Sequence, residues 1–288
     1  MPTTQPLDRL SALLERFRVR THLFHAGPLC GVDKFDAVPG RGFLHLLRRG
    51  ELVVTHHARD GVLRKIAIRE PTLLFYPQPL THTFHNAPVG GSDFVCAAVT
   101  FAGGADHPIV RALPPLIVVP LAQVEGLEGA LALLFGEAER ASCGQRLLAD
   151  RLFEVVLVQL LRWMLDHPTE CGISQGLMAG LGDPALARAL TRMHEQPGQA
   201  WTLEAMAQQA GMSRSAFAAR FKDVIGATPA DYLTDWRLAL AKARLRRGDA
   251  VKLVADELGY ANASALSRVF AQRVGMSPRA WLASAPPP

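Results

Sequence analysis

The chain of 288 residues is 20% charged and 49% hydrophobic, contains 24 glycines and carries a formal net charge of +5. This balance excludes disordered, collagen-like and low-complexity proteins, and the length allows about two domains with separate cores. No apolar run approaches the roughly 20 residues of a membrane helix, no signal peptide is evident and the four cysteines form no CxxC pair, so we expect a soluble, cytoplasmic protein without a disulfide framework.

The first part of the chain, residues 1–121, has the pattern of an antiparallel β-domain. Short apolar runs at 42–47, 51–55 and 62–68 are separated by Arg-Gly and Asp-Gly turns. Regular short strands with such turns are typical of a sandwich or a barrel. We therefore predict a small β-barrel in this region.

Residues 122–168 change to a helical period. Within 146–166, side chains suited to an interface recur at three- and four-residue steps. These positions are Leu148, Leu152, Val155, Val156, Gln159 and Trp163. Almost every neighbour is apolar as well, and a helix that is apolar on several sides needs another helix against it. We predict that this segment pairs either with the helix before it or with its own copy in a homodimer.

Residues 169–183 contain four glycines and hold no helical apolar stripe for more than a turn, which predicts a linker. The chain after it is helical in pattern. From residue 181 onward, 14 Lys and Arg stand against 9 Asp and Glu, so this part carries the whole net charge. A neutral part joined to a basic part indicates that the basic part meets a polyanion.

An internal repeat organises residues 184–288. The apolar pattern of 202–212 returns at 250–260, and the first helix of each copy ends at a glycine, Gly211 or Gly259. A second helical pattern follows in each copy, and then a further glycine and a Thr-Pro or Ser-Pro step that starts the next helix. Helix, glycine turn and helix form the unit that places its second helix in the DNA major groove. A solenoid is the alternative, but it requires about three copies and the chain has two.

The exposed positions of the two second helices carry residue types that suit DNA. Ser, Asn and Arg reach phosphates and base edges, while Ala permits close approach and contacts thymine methyl groups. The candidate DNA-binding residues are Ser213, Arg214, Ser215, Ala218 and Lys222 in the first copy and Asn262, Ser264, Ser267 and Arg268 in the second.

The C-terminal region resembles the AraC/XylS type of bacterial transcription regulator. The likeness rests on TLEAMAQQAGMSRSAFAARFKDVIGATPADYL at 202–233 and on VADELGYANASALSRVFAQRVGMSPRAWL at 254–282. It implies a double helix-turn-helix domain that acts on promoter DNA, with RNA polymerase as a partner in an activator. One departure is at 218–219, where two alanines replace the polar residue and arginine of many relatives. We expect Arg214 or Lys222 to supply the contacts there.

The N-terminal region is similar to the cupin-type effector domains that precede such DNA-binding domains. Two stretches carry the likeness, LHLLRRGEL at 44–52 and PTLLFYPQPLTHTFHN at 71–86. A metal cupin requires two histidines separated by one residue, an acid and a third histidine. Because His45 is followed by leucines and His82 stands alone, we expect no metal, no cofactor and no catalytic residue, and we assign both to a ligand pocket. The alternative is a metal-dependent cupin enzyme with an accessory helical domain, which metal analysis would test.

The sequence leaves open which signal the barrel senses. Cys96 lies in an apolar run and is by itself most simply a small buried residue. Cys30 and Cys96 nevertheless resemble the two cysteines of the branch of cupin-containing AraC regulators that responds to reactive chlorine species, which implies sensing by thiol oxidation. A small organic ligand is the competing hypothesis. Arg48, Arg49 and Arg64 are possible anion contacts for it, although a solvated charged face is the simpler interpretation of each.

These features predict an α+β multidomain protein with an N-terminal cupin-like antiparallel β-barrel at 1–121 and a helical dimerisation segment at 122–168. A linker at 169–183 precedes a C-terminal all-α double helix-turn-helix domain at 184–288. We expect a homodimeric, sequence-specific DNA-binding regulator in which an oxidant or a small ligand, sensed by the barrel, alters promoter binding.

Overall fold

The computed structural model describes residues 7–57, 61–139 and 142–284. They form two compact units. One unit consists of residues 18–173 and is called the β-unit here. The other combines residues 7–17 with residues 174–284 and is called the helical unit.

The β-unit is built on two antiparallel sheets. Its described strands are β1 (Val19–Leu29), β2 (Val32–Phe35), β3 (Arg41–Arg49), β4 (Leu52–His56), β5 (Lys65–Ile68), β6 (Thr72–Tyr76), β7 (His82–His85), β8 (Ser92–Phe101) and β9 (Ile117–Pro120). The first sheet has the order β1-β8-β3-β6-β9 and the second has the order β2-β7-β4-β5. The three runs expected to be strands are β3, β4 and β5, and the antiparallel β-domain is confirmed.

The core of the β-unit lies between the two sheets. Leu74 and Phe94 come to it from the first sheet, and Val54 and Phe84 come from the second. Strand β6 is buried along its whole length, with the sequence TLLFY. A strand that is covered on both faces reads as a continuous apolar run rather than an alternating one, which explains the composition of β6.

The helices of the β-unit are α2 (Pro108–Ala112), α3 (Glu128–Ala138) and α4 (Gln145–Asp166). Helix α4 packs against both α3 and β1. It buries Leu152, Val156 and Trp163, whereas Leu148 and Val155 are 47% and 44% exposed. The expectation that α4 packs on the helix before it is therefore met, and pairing with a second copy stays a prediction.

Nine helices are described in the helical unit. They are α1 (Ser11–Arg16), α5 (Leu177–Gly182), α6 (Pro184–Glu195), α7 (Leu203–Ala210), α8 (Arg214–Ile225), α9 (Pro229–Arg246), α10 (Val251–Glu257), α11 (Ala263–Val274) and α12 (Pro278–Ser284). Along the described parts of the chain, no helix combines the length and the apolar character needed to cross a membrane.

The boundaries of the units differ from the expected domains at two places. Residues 7–17 were expected to belong to the barrel, but α1 packs on α6 because its apolar stripe, Leu10, Leu13 and Phe17, is buried in the helical unit. Part of the expected linker is the helix α5, because Leu177 and Leu181 also bury their side chains there. The four glycines of 169–183 favoured a linker over a helix in the sequence analysis, although Leu177 and Leu181 have helical spacing.

The helical repeat has the predicted form of helix, glycine turn and helix. Gly211 ends α7 with a φ of +68°, and Gly259 follows α10 with a φ of +76°. A side chain at Gly259 would also lie 2.3 Å from the carbonyl oxygen of Gly198. Glycine alone accepts both this backbone conformation and such a close approach. Both features therefore require glycine at position 259.

Candidate DNA-binding surface and effector pocket

The two candidate recognition helices are α8 and α11, and polar residues cap their N-termini. The Ser213 hydroxyl accepts a hydrogen bond from the backbone N–H of Ala216, and the Asn262 side chain accepts one from the N–H of Ala265. Such caps fix where a helix begins. Ser213 and Asn262, which we predicted to contact DNA, are thus engaged in their own helices, although both remain exposed.

Most arginines of the helical unit hold its helices together. Their partners are acidic side chains or backbone carbonyl groups. Among the engaged arginines are Arg16, Arg188, Arg220, Arg237, Arg244 and Arg273. Arg220 shows the pattern, since its guanidinium pairs with Asp183, the N-cap of α6. A cation used in this way is not available to a phosphate.

Three predicted DNA-binding cations behave differently. In the described part of the helical unit, the exposed side chains of Arg214, Lys222 and Arg268 make no hydrogen bond and no ion pair, and Lys252 and Arg279 outside the two recognition helices share this state. An unpaired surface cation loses no protein partner when it binds a phosphate or a base. The structure thus separates the cations of α8 and α11 that are free to contact DNA from those that stabilise the fold.

The remaining predicted residues line the same two helices. Ser215 and Ser264 are exposed, while Ala218 and Ser267 are partly buried. The Ser215 hydroxyl lies 3.4 Å from that of Ser213. Helices α8 and α11 hold equivalent places in the two copies of the repeat.

A groove beside α8 was not predicted from the sequence. It has a volume of about 680 Å³ and runs between α7, α8 and the start of α9. Its lining is mostly apolar, with lysine and threonine side chains among the polar members. The lining residues are Trp201, Leu203, Met206, Ala218, Ala219, Lys222, Thr228, Pro229, Ala230, Leu233, Thr234 and Arg237. Leu203 at its edge is 41% exposed, although it belongs to the apolar pattern of the repeat.

In the β-unit, the structure brings the two predicted pocket histidines together. His45 on β3 and His82 on β7 are buried, and their Nε2 atoms lie 2.9 Å apart. The Nδ1 atom of His82 lies 2.9 Å from the carbonyl oxygen of Leu80, to which it donates. His82 Nε2 is then the acceptor and His45 Nε2–H is the donor. The two histidines are 37 residues apart in the chain, so the sequence did not indicate that they are neighbours in the fold.

Burial keeps both histidines neutral. It lowers the pKa of His82 to about 4, and burial together with the adjacent His82 lowers the pKa of His45 well below its usual value. With Nε2 donating, the Nδ1 atom of His45 is a bare acceptor, and it is buried with no hydrogen-bond partner in the described structure. Among the described residues of the β-unit, this atom is the one buried ring nitrogen without a partner.

Tyrosine and histidine extend this cluster. The Tyr76 ring stacks on His82 with centroids 4.0 Å apart, and the Tyr76 hydroxyl donates to His56 Nε2 at 3.0 Å. Burial raises the pKa of Tyr76, so it stays protonated as that donor. Neither Tyr76 nor His56 was predicted as a pocket residue, although the FYP step at 75–77 lies within the cupin-like stretch.

Phenylalanines surround the histidine pair. Phe35, Phe43 and Phe84 lie within 4.8 to 5.7 Å of the His45 ring, measured between centroids, and the half-exposed Phe24 lies at 6.1 Å. The described residues include no group of three or more His, Cys, Asp or Glu arranged to hold a metal ion. These rings form an aromatic box in the core of the β-unit, and His45 Nδ1 is a buried acceptor there without a partner among the described residues.

The two cysteines predicted to sense oxidants lie apart. Cys30 is exposed and Cys96 is buried, and neither is in a disulfide. Strands β1 and β8 pair His25 with Cys96 and Leu29 with Ser92. Cys30 is thus about five residues along the ladder from Cys96, roughly 16 Å at the usual rise, whereas a disulfide needs Cα atoms within about 7 Å. Sensing by these thiols stays a prediction, and a direct bond between them requires another conformation.

The predicted anion contacts are only partly free. Arg48 pairs with Asp93 and Glu139 and packs over the Phe135 ring. Arg49 is 75% exposed and lies 3.4 Å from Asp93. The Arg64 side chain is exposed as well. Arg48 is therefore a structural residue in this conformation.

Comparisons with known proteins match the two parts of the chain to two different families. Residues 8–166 match the Cupin family and residues 206–284 match the Helix-turn-helix domain family. The chain is 32% identical to a "Putative AraC-like transcription regulator" of Streptomyces lividans, over 94% of this chain and 97% of the relative. It is 27% identical to the "RCS-specific HTH-type transcriptional activator RclR" of Escherichia coli, over 73% and 75%.

Solved structures give a partial match. The DNA-binding domain of AdpA in complex with a target DNA is 31% identical, and the match covers 35% of this chain and 92% of that chain with a TM-score of 0.33. Fatty-acid-bound ToxT of Vibrio cholerae is 12% identical, over 92% of this chain and 94% of that chain, with a TM-score of 0.40.

Proposed function

We propose, from the premise that this chain belongs to the family of AraC-like transcription regulators, that its helical unit binds promoter DNA through α8 and α11. The chain is a DNA-binding regulator with an N-terminal cupin domain, and not an enzyme. The observation that carries the assignment to these helices is the state of Arg214, Lys222 and Arg268. They are unpaired and exposed in the described structure, while most other arginines around them are engaged.

The test is binding of the full-length protein to DNA from its own upstream region, measured by fluorescence anisotropy against unrelated DNA of equal length. We expect a preference of at least a thousandfold at physiological salt, the lower end for specific regulators. Equal affinity for both DNAs would contradict a sequence-specific role. Footprinting then locates the bound bases.

We propose further that the aromatic box of the β-unit receives the signal. Its chemistry suits a small, flat, apolar molecule with one hydroxyl or N–H group that donates to His45 Nδ1. Such pockets are apolar with a few polar groups that set orientation. Thermal shift with a panel of phenols and aromatic amides tests this. We expect stabilisation of the wild type and none of His45→Phe, with His22→Phe, an exposed histidine of the same unit, as the control.

The β-unit offers a surface for the proposed homodimer. Leu147, Leu148 and Val155 of α4 are 63%, 47% and 44% exposed. A signal that changes how two such helices pair, or how the 169–183 segment positions the DNA-binding helices, would alter affinity for paired half-sites. Sedimentation of wild type and Val155→Arg tests this, since we expect a dimer and a monomer respectively. RNA polymerase as a partner and a cytoplasmic location belong to the same proposal.

A further inference from the structure

The two copies of the helix-turn-helix differ at the positions that face outward from the second helix. The offset between the copies is 48 residues up to the glycine turn and 49 beyond it, where Phe221 matches Phe270. Ala218 and Ala219 of α8 therefore occupy the places that Ser267 and Arg268 hold in α11. Serine and arginine offer hydrogen bonds to base edges, and alanine offers none. The two copies therefore cannot read bases by the same chemistry at these positions.

The surroundings of the two alanines are apolar as well. Both line the 680 Å³ groove, together with Trp201, Leu203 and Met206 from the preceding segment and α7. Ala219 is exposed and Ala218 is partly buried. A helix that enters the major groove with this face forward presents methyl groups beside an apolar recess rather than donors and acceptors.

Charge at the rim favours DNA as the occupant of this groove. Lys222, one turn after Ala218, is exposed and unpaired in the described structure, and Thr228 caps the N-terminus of the 18-residue helix α9 at the other side. A lysine and a helix N-terminus both favour phosphate. Of the groups on the floor of the major groove, the thymine C5-methyl group is the one that an apolar surface can bind.

We propose that the first helix-turn-helix recognises thymines through their methyl groups, with Ala218 and Ala219 as the contacting residues, whereas the second reads base edges by hydrogen bonds. This inference deepens the proposed function and rests on it. It assigns a T-rich half-site to α8. The half-site of α11 is identified by a base that pairs with Arg268, for which guanine is the commonest partner.

The experiment replaces single thymines by deoxyuridine in a duplex selected from random DNA with the full-length protein. This change removes one methyl group and leaves the base pairing intact. We expect each contacted thymine in one half-site to lose about fourfold in affinity, the value for one methyl-sized group buried against an apolar surface. Thymines of the other half-site should be insensitive.

Variants assign that half-site to α8. In Ala219→Gln the helix propensity is nearly kept, but we expect the deoxyuridine effect to disappear and adenine to become preferred at the facing position, because glutamine pairs with adenine. Arg268→Ala should bind more weakly and keep the effect. Ala280→Gln, the same substitution at an exposed position of α12, is the matched control and should behave as wild type.

The selection tests the proposed DNA-binding function, and the deoxyuridine measurements test thymine recognition by α8. Selection that yields no preferred sequence would overturn the proposed function itself. A preferred sequence that tolerates deoxyuridine everywhere, or a deoxyuridine effect that persists in Ala219→Gln, would overturn thymine reading by α8 and leave the regulator intact.

Discussion

Phe17 packs edge-on against Trp236 with the ring centroids 5.3 Å apart, although the first lies before the first strand of the β-unit and the second lies in α9. Arg16 supports the contact, because its guanidinium donates to the carbonyl oxygen of Glu195 at 2.7 Å. Residues before and after the β-unit in the sequence thus contribute to one hydrophobic core. Helix α1 is therefore part of the helical unit and not of the barrel.

Phe17→Ala should therefore destabilise the helical unit. The side chain is 2% exposed, and truncation of a buried phenylalanine costs about 3–5 kcal/mol. Denaturant unfolding followed by tryptophan fluorescence measures the loss. Phe24→Ala, which truncates a 42% exposed phenylalanine of the β-unit, should cost clearly less. Equal losses would show that α1 contributes no specific packing.

Arg268→Ala and Lys222→Ala should weaken DNA binding without changing the melting temperature, because neither side chain has a partner among the described residues. We expect about 1–3 kcal/mol for Arg268 if it pairs with a base, with relaxed specificity at that base. Loss of Lys222 should instead lower the slope of log K against log salt by about one. Anisotropy titrations at several salt concentrations distinguish the two effects.

Arg220→Ala is the contrasting arginine variant. Its guanidinium pairs with Asp183, which also caps α6. Burial raises the pKa of Asp183, but the hydrogen bonds from the Leu186 N–H and from Arg220 outweigh it and lower the pKa. We expect a lower melting temperature and an unchanged salt slope. A reduced salt slope in this variant would place Arg220 on the DNA and contradict the division of the cations.

Acid should destabilise the β-unit between about pH 6.5 and pH 4. In the unfolded chain His82 binds a proton near pH 6.5, whereas in the folded chain burial lowers its pKa to about 4. The unfolded state therefore binds more protons within this window, so stability is complete above it and falls as the pH falls. The difference corresponds to about 3 kcal/mol.

His82→Phe isolates that effect from other acid-sensitive groups. His194 of the helical unit is one of them, because burial lowers its pKa to about 3. Thermal unfolding between pH 4 and pH 7 should show a shallower pH dependence in the variant than in wild type. Identical curves for His82→Phe and wild type would mean that His82 is protonated in the folded protein.

Alkylation should separate the thiols by accessibility. Cys30 is exposed and Cys96 is buried, and burial raises the pKa of the Cys96 thiol, so less of the reactive thiolate forms. We expect fast modification of Cys30 and protection of Cys96 until the protein unfolds, as measured by mass spectrometry. If mild oxidation of the native protein gives a Cys30–Cys96 disulfide within minutes, β1 and β8 must separate readily.

The repeat was predictable because its signals are local. Gly211 and Gly259 indicate turns directly after the helices that they follow, and the structure places them there. Polar residues at the starts of α8 and α11 were harder to interpret, since a cap and a DNA contact use the same residue types.

The barrel interior and α1 were not predictable in this way. The pairing of His45 with His82 depends on β3 and β7 lying in facing sheets, which no local pattern encodes. The apolar stripe of α1 predicts that it is buried, but not which core buries it. Its membership of the helical unit depends on contacts between residues far apart in the chain, Phe17 and Trp236 among them.

The helical unit consists of two segments that are separated in the sequence, and this determines how a hybrid protein must be joined. Residues 7–17 and 174–284 form one unit, so the β-unit is inserted within the sequence of the helical unit. If a new sensor is joined at a single point near residue 173, α1 is lost from the helical unit. A chimaera that transfers a new sensor onto these DNA-binding helices needs two junctions, one after Phe17 and one near Ile173. Hybrids joined only at the second junction should express as less stable proteins, whatever sensor they carry.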